Sequence, residues 1–288
     1  MSTTTEGFKT ELIGVTTDPF VWEVTQENVA RYAAATNDTI APHASGDLAP
    51  PVYAIVPAFQ ALGPTMAEVI PPELIMMGVH GEQDFRFHKP IVPGMTLTTT
   101  AHAAGVTQKS SGVTVLVKGE TRDQDGDLVV EQYMTSFVRR AEGATDAGQE
   151  PPDHTFPEEL RDSDPVAVVE QSFDADQTFR YSEASGDLVP IHLDDDVAKA
   201  VGLPGIIIHG LCTMAFVSRV VIEATCPEDP TRLKRLAVQF SKIVLPSNAI
   251  TTSVWKGGEA DGRDVFHFET LTDAGAACIK NGLAEVAR

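Results

Sequence analysis

The sequence predicts an α+β protein: two antiparallel sheets, each wrapped around one long central helix, joined as an internal pseudo-dimer. Two observations carry this. The run Tyr32-Ala33-Ala34-Ala35-Thr36-Asn37-Asp38 returns as Tyr181 to Asp187, and Phe87-His88-Lys89-Pro90-Ile91-Val92-Pro93-Gly94 returns as Phe240 to Ser247. Between the members of each pair lies one long apolar stretch, and after each come alternating Thr/Val-rich segments of strand period. A buried helix followed by strands, written twice, packs best as two layers around shared cores.

Each copy opens with a strand-then-helix segment, Phe20 to Thr25 in the first and Ser172 to Gln177 in the second. The central helix of the first copy is expected at about 52–69, where Pro57 and Pro64 weaken it, and that of the second at about 209–224. Leu211, Met214, Val217, Val220 and Val221 put apolar groups nearly all round the second helix, the pattern of a buried rod. Strands follow at Leu97 to Ala101 and at Ile250 to Trp255, and further strands turn at Asp125-Gly126 and at Asp273-Ala274-Gly275. The polar stretch with Pro151-Pro152 reads as a linker. The expected organisation is a first unit over 1–140, a linker over 141–161 and a second unit over 162–288.

With 288 residues the chain can bury two ordinary cores. A formal charge of -20 argues against nucleic acid as the partner, because phosphate binding wants a basic face. No apolar run reaches membrane-spanning length, the N-terminus lacks the basic start and apolar core of a secretory signal, and the C-terminus carries no peroxisomal Ser-Lys-Leu. Cys212, Cys226 and Cys278 show neither metal-ligand spacing nor a disulfide framework, so a reducing cytoplasm is the simplest compartment and no metal is expected.

The chemistry concentrates in the second copy. Gly186-Asp187-Leu188-Val189-Pro190-Ile191-His192 puts a carboxylate and an imidazole on one turn, and Ile208-His209-Gly210-Leu211 follows at a helix start. Asp187 and His192, five apart across Pro190, can face one site and polarise a water held between them. The N–H of Gly210 would be an unpaired donor at the positive end of the helix dipole; the plainer reading is that glycine allows close helix packing. His209 reads as a cap or packing group. Arg86 and Lys89 alternate with Phe85 and Phe87 and read as solvated. In the first copy Asp38 and His43 keep the same spacing, but Asn37 matches Gly186, Val56 stands roughly where His209 would, and no counterpart of Gly210 follows. That half is expected to be inactive.

The run YSEASGDLVPIHLDDDVAKAVGLPGIIIHGLCTMAF resembles the signature of the MaoC-like, type 2 (R-specific) enoyl-CoA hydratases, Gly-Asp-x-Asn-Pro-x-His with a later His-Gly. Val79-His80-Gly81-Glu82-Gln83-Asp84-Phe85-Arg86-Phe87-His88-Lys89-Pro90 is similar to the matching stretch of the two-domain members. The resemblance spans nearly the whole chain and implies the double hot-dog fold, with a first half remodelled to admit an acyl chain. It also implies a hydro-lyase that interconverts trans-2-enoyl-CoA and (3R)-3-hydroxyacyl-CoA. It needs no cofactor, since CoA belongs to the substrate.

The resemblance further places the acid–base pair at Asp187 and His192 and the thioester-oxygen donor at Gly210. His80, Gly81, Lys109 and Phe240 correspond to positions contacting the CoA ester, and Ser218 to one lining the acyl pocket. On the residues alone, Lys109 fits a CoA phosphate or a solvated loop, and Phe240 a pocket wall or plain core. Val189 replaces the usual Asn and cannot hydrogen-bond through its side chain. Alternatives of other classes are a hot-dog acyl-CoA thioesterase and a non-catalytic acyl-CoA-binding subunit. Two fused units suffice as a monomeric pseudo-dimer, or two chains associate as a homodimer.

Overall fold

A computed structural model describes residues 7–288; the first six residues of the N-terminal stretch discussed above lie outside it. The first half comprises β1 (Phe20–Glu23), α1 (Gln26–Ala35), α2 (Ala41–Ala44), α3 (Phe59–Val69), β2 (Gly78–Phe87), β3 (Thr96–Lys109), β4 (Gly112–Arg122) and β5 (Leu128–Arg139). A short β6 (Ala147–Gly148) lies in the linker. The second half follows with β7 (Ala167–Ser172), α4 (Gln177–Ser185), α5 (Asp195–Ala200), α6 (Gly210–Thr225), β8 (Leu233–Phe240), β9 (Ala249–Ala260), β10 (Arg263–Thr272) and β11 (Ala277–Ala287).

The strands form one continuous antiparallel sheet in the order β1-β3-β4-β5-β2-β8-β11-β10-β9-β7, so the second half mirrors the first about the β2–β8 seam. There Glu82 pairs with Gln239 and Arg86 with Arg235, with Asp84 opposite Ala237 at the centre. Edge pairing of two helix-wrapping sheets is the double hot-dog arrangement. Arg235 bonds the buried Asp84 carboxylate at 2.8 Å across the seam and also reaches Glu285, so a charge at the junction is paired rather than stranded.

Local chemistry explains the boundaries. Thr25 caps α1 by accepting from Asn28 N–H, and Asp194 caps α5 by accepting from Asp196 and Val197 N–H. Helix α4 stops at Gly186, whose φ of 79° is the left-handed conformation glycine adopts without penalty; Asn37 takes the matching place after α1 with φ 51°. From Leu211 to Ser218 every residue of α6 is buried, as its all-round apolarity predicts. The single helix expected over 52–69 is instead a 3-10 turn, Pro51–Ile55, followed by α3. Pro57, which lacks an amide hydrogen, sits at that break.

The linker is anchored rather than free. β6 adds to β3, and Phe156 is buried beside Trp255, with the Arg161 guanidinium 4.7 Å from its ring centroid. His154 Nδ1 lies 2.6 Å from the Asn281 carbonyl. Among the described residues no helix is long and apolar enough to cross a membrane, and the three cysteines are buried free thiols.

Candidate active site

The left-handed residue Gly186 turns the chain out of α4 and delivers Asp187 to the surface of the core. There Asp187 Oδ1 accepts from the N–H of Val189 at 3.2 Å, which ties the carboxylate to its own turn. The Val189 side chain is 44% exposed, so the position that departs from the family signature serves Asp187 through its backbone. A 3-10 turn, Pro190–His192, then folds His192 inward. Its Nδ1–H donates to the carbonyl of Ile207 at 2.8 Å, which leaves Nε2 as the ring's lone-pair nitrogen.

Asp187, His192 and His209 bring their reactive atoms within 4.8 Å of one another. His209 lies face to face with His192, ring centroids 3.7 Å apart and planes inclined by 23°. Its Nε2 stands 3.3 Å from the carbonyl oxygen of Asp187 and 3.2 Å from Ser182 Oγ, while Nδ1 is buried without a partner. His209, read in the sequence as a cap or packing group, is the residue before α6 and packs its ring on that of His192, which brings it to the same cluster. The signal available was its adjacency to Gly210.

Burial sets the protonation. It raises Asp187 above the ordinary carboxylate range, against the pull of His192, and it lowers His192 below the ordinary imidazole range. It also drives His209 down to about 2, helped by repulsion from His192. Both stacked rings are thus neutral near pH 7. A cation placed here would draw on the Asp187 carboxylate and His192 Nε2, whereas His209 directs its Nε2 at the Asp187 carbonyl.

Gly210 starts α6 directly after His209, and its N–H has no hydrogen-bond partner among the described residues. A Cβ at Gly210 would lie 3.2 Å from the Phe240 ring, so glycine lets that ring close on the amide. Phe240, on β8, meets His80 of β2 edge to face at 4.9 Å. The site thus draws on both halves. Gly81 is the extra residue of a β-bulge, since His80 pairs with Ser136 and Glu82 with Thr135. Ser218 is fully buried on α6, its hydroxyl donating to Ala215 O.

Lys109 is exposed at the end of β3, pairs with Glu150 of the linker at 3.1 Å, and lines a recess with Glu82, Thr114, His154 and Asn281. Arg86 and Lys89, read as solvated, also form ion pairs: Arg86 with Glu131, and Lys89 with Asp123 and Asp127.

The first half shows what the same frame looks like without the parts. Ala49 N–H donates to Ile91 O at 2.9 Å, as Ile208 N–H donates to Val244 O at 2.8 Å. This equivalence puts Pro50 in the place of His209 and Pro51 in the place of Gly210, correcting the expectation that Val56 stands there. Proline has no N–H to offer an oxyanion. His43 turns its Nδ1 to the Asp38 carboxylate at 2.8 Å, both side chains almost wholly buried, so that acid and base are spent on each other.

Residues 155–276 match the MaoC like domain, and residues 44–140 match the MFE-2 hydratase 2 N-terminal domain. The chain is 30% identical over 213 residues to a probable enoyl-CoA hydratase 2 of Dictyostelium discoideum, covering 69% of this chain and 72% of that one. It is 29% identical over 279 residues to 3-hydroxyacyl-thioester dehydratase Y of Mycobacterium tuberculosis (strain ATCC 25618 / H37Rv), covering 92% of each. The crystal structure of a MaoC-like dehydratase from Phytophthora capsici superposes with a TM-score of 0.83 at 23% identity. It covers 96% of this chain and 98% of that one, a likeness of fold.

Proposed function

Because the chain belongs to the MaoC-like family, in the two-domain form of the enoyl-CoA hydratases 2, we propose that it reversibly hydrates trans-2-enoyl-CoA to (3R)-3-hydroxyacyl-CoA. The observation that carries the assignment of residues is the convergence of Asp187 and His192 with His209, the residue directly before the unpaired N–H of Gly210.

With Nδ1 of His192 donating to Ile207 O, both Nε2 and the Asp187 carboxylate are acceptors. A water donating one hydrogen to each presents its lone pair to C3 of the enoyl group. As the C3–O bond forms, one proton passes to the pair and negative charge moves to the thioester oxygen, where the Gly210 N–H at the positive end of α6 receives it. The pair then returns a proton to C2 and the enolate collapses. Delivery of oxygen and proton by one coupled pair confines both to one face of the double bond. The two groups titrate as a unit, so acid and base belong to the pair. Every step is redox-neutral and uses only these residues.

Phe240 and His80 would wall the thioester, and Ser218 would bound the acyl chain from α6. Lys109, bound to Glu150, would serve a CoA phosphate by exchanging that partner. Since β2 and β8 complete the site within one chain, a monomer suffices for turnover. Three thiols kept buried and unpaired support a cytoplasmic setting.

The test is incubation with trans-2-enoyl-CoA of graded chain length, followed by chiral analysis of the product. Formation of (3R)-3-hydroxyacyl-CoA supports the reading. A (3S) product, or free CoA from a saturated acyl-CoA as the sole reaction, overturns it.

A further inference from the structure

Three hydrogen bonds, two buried and the outermost half-buried, lead from the substrate side of the site into the first half. Gln132 Nε2 lies 3.3 Å from the carbonyl of Ala54, in the 3-10 turn that precedes α3. Gln83 Nε2 lies 3.3 Å from Gln132 Oε1, and His80 Nε2 lies 3.1 Å from Gln83 Oε1. Gln83, Gln132 and Ala54 are wholly buried.

The direction of this chain is fixed at its far end. A carbonyl oxygen only accepts, so Gln132 must donate to Ala54 and present its own oxygen to Gln83. Gln83 must then donate to Gln132 and present its oxygen to His80, whose Nε2 must carry the proton. Residues three apart on a regular strand face opposite sides; the extra residue Gly81 brings His80 and Gln83 to the same side. Phe240, the ring against which His80 rests, is the one that closes on Gly210.

We propose that Gln83 and Gln132 are positioning residues for the thioester: they hold His80 as the Nε2–H tautomer and fix its ring against Phe240 at the Gly210 amide. The kinetic part rests on the hydratase reading; the tautomer part does not. Burial, the dominant influence, lowers His80 to about 4, in keeping with a neutral ring.

The experiment joins nitrogen-15 NMR of the histidine rings with steady-state kinetics on the full chain, with His80 assigned through the signal lost in His80→Gln. His80 is expected as a single Nε2–H tautomer that does not titrate between about pH 5.5 and 8. Gln83→Met, which removes the acceptor, should mix the tautomers and raise KM by about fivefold or more with kcat changed less than about twofold. Gln83→Glu keeps an acceptor, so it should retain the Nε2–H form and restore much of the KM, while its charge lifts the His80 titration into the measured range. An Nδ1–H ring in the unaltered protein, or a Gln83→Met ring identical to it, overturns the proposal whether or not hydration is detected. A Gln83→Met variant that loses thermal stability with KM unchanged assigns the amides a merely structural role and overturns the kinetic part.

Discussion

The imidazoles of His192 and His209 stack at 3.7 Å, a contact that two positively charged rings would not keep. Burial holds both below the ordinary imidazole range, and His80 with them at about 4. The sign follows from linkage. A folded-state pKa below the unfolded value means that the unfolded chain binds more protons once pH falls below about 6.5, so stability is lost as pH drops. Asp187 and Glu82, raised by burial, act in the opposite sense as pH approaches their folded values, and these two carboxyls oppose five lowered imidazoles, His102 and His267 being the other two. Thermal unfolding measured from pH 7.5 down to pH 5 should therefore show a falling Tm, with a shallower fall in His209→Asn. An equal slope in the variant would contradict the role assigned to this stack.

The rate should follow the dyad rather than a free imidazole. Hydration needs both acceptors of the pair unprotonated, and Asp187 is raised while His192 is lowered. The acid limb of kcat/KM is thus expected above the value of a free aspartate. A pH–rate profile whose acid midpoint lies at the free-aspartate value would count against the geometry.

Pro51 opens the 3-10 turn of the first half where Gly210 opens α6 of the second, and proline suits the first position of a helix because the amide hydrogen there has no intrahelical partner. Gly210→Pro removes the amide hydrogen while respecting helix geometry. The expected loss is about 10²–10³ in kcat, that of one oxyanion donor. A variant that folds and turns over at the unaltered rate would remove Gly210 from the mechanism. Gly210→Ala separates the steric part, because its Cβ meets the Phe240 ring at 3.2 Å and leaves the N–H in place.

The pair Asp38–His43 has the buried, mutually satisfied form of a structural contact. Asp38→Ala strands a buried imidazole whose Nε2 already lacks a partner, and should cost about 3–5 kcal/mol of stability. Denaturant unfolding measures this loss directly; an unchanged midpoint would show the pair to be dispensable for folding.

Much of this layout is legible in the sequence where the signal is local. The repeat fixes the mirrored halves, and Gly186-Asp187 with His192 marks the turn, because a left-handed glycine and a proline leave few other ways to fold it. The all-round apolarity of α6 marks a buried helix. Lateral relationships are not legible in this way. The equivalence of Pro50 with His209 rests on two backbone hydrogen bonds to Ile91 and Val244, and counting through loops of unequal length led to Val56 instead. Lys109 is a candidate CoA contact by resemblance, and its ion pair with the linker's Glu150 is a contact that no local pattern announces. The stack of His209 on His192 depends on where the chain returns after α5, which no local pattern encodes.

The most direct measurement compares kcat/KM for trans-2-enoyl-CoA in Asp187→Ala and Asp38→Ala, each checked for native circular dichroism. Asp187→Ala should lose about 10³–10⁴ in kcat/KM, while Asp38→Ala, once folded, stays within about tenfold of the unaltered protein. Full turnover in Asp187→Ala with none in Asp38→Ala would place the chemistry in the other half and contradict the account.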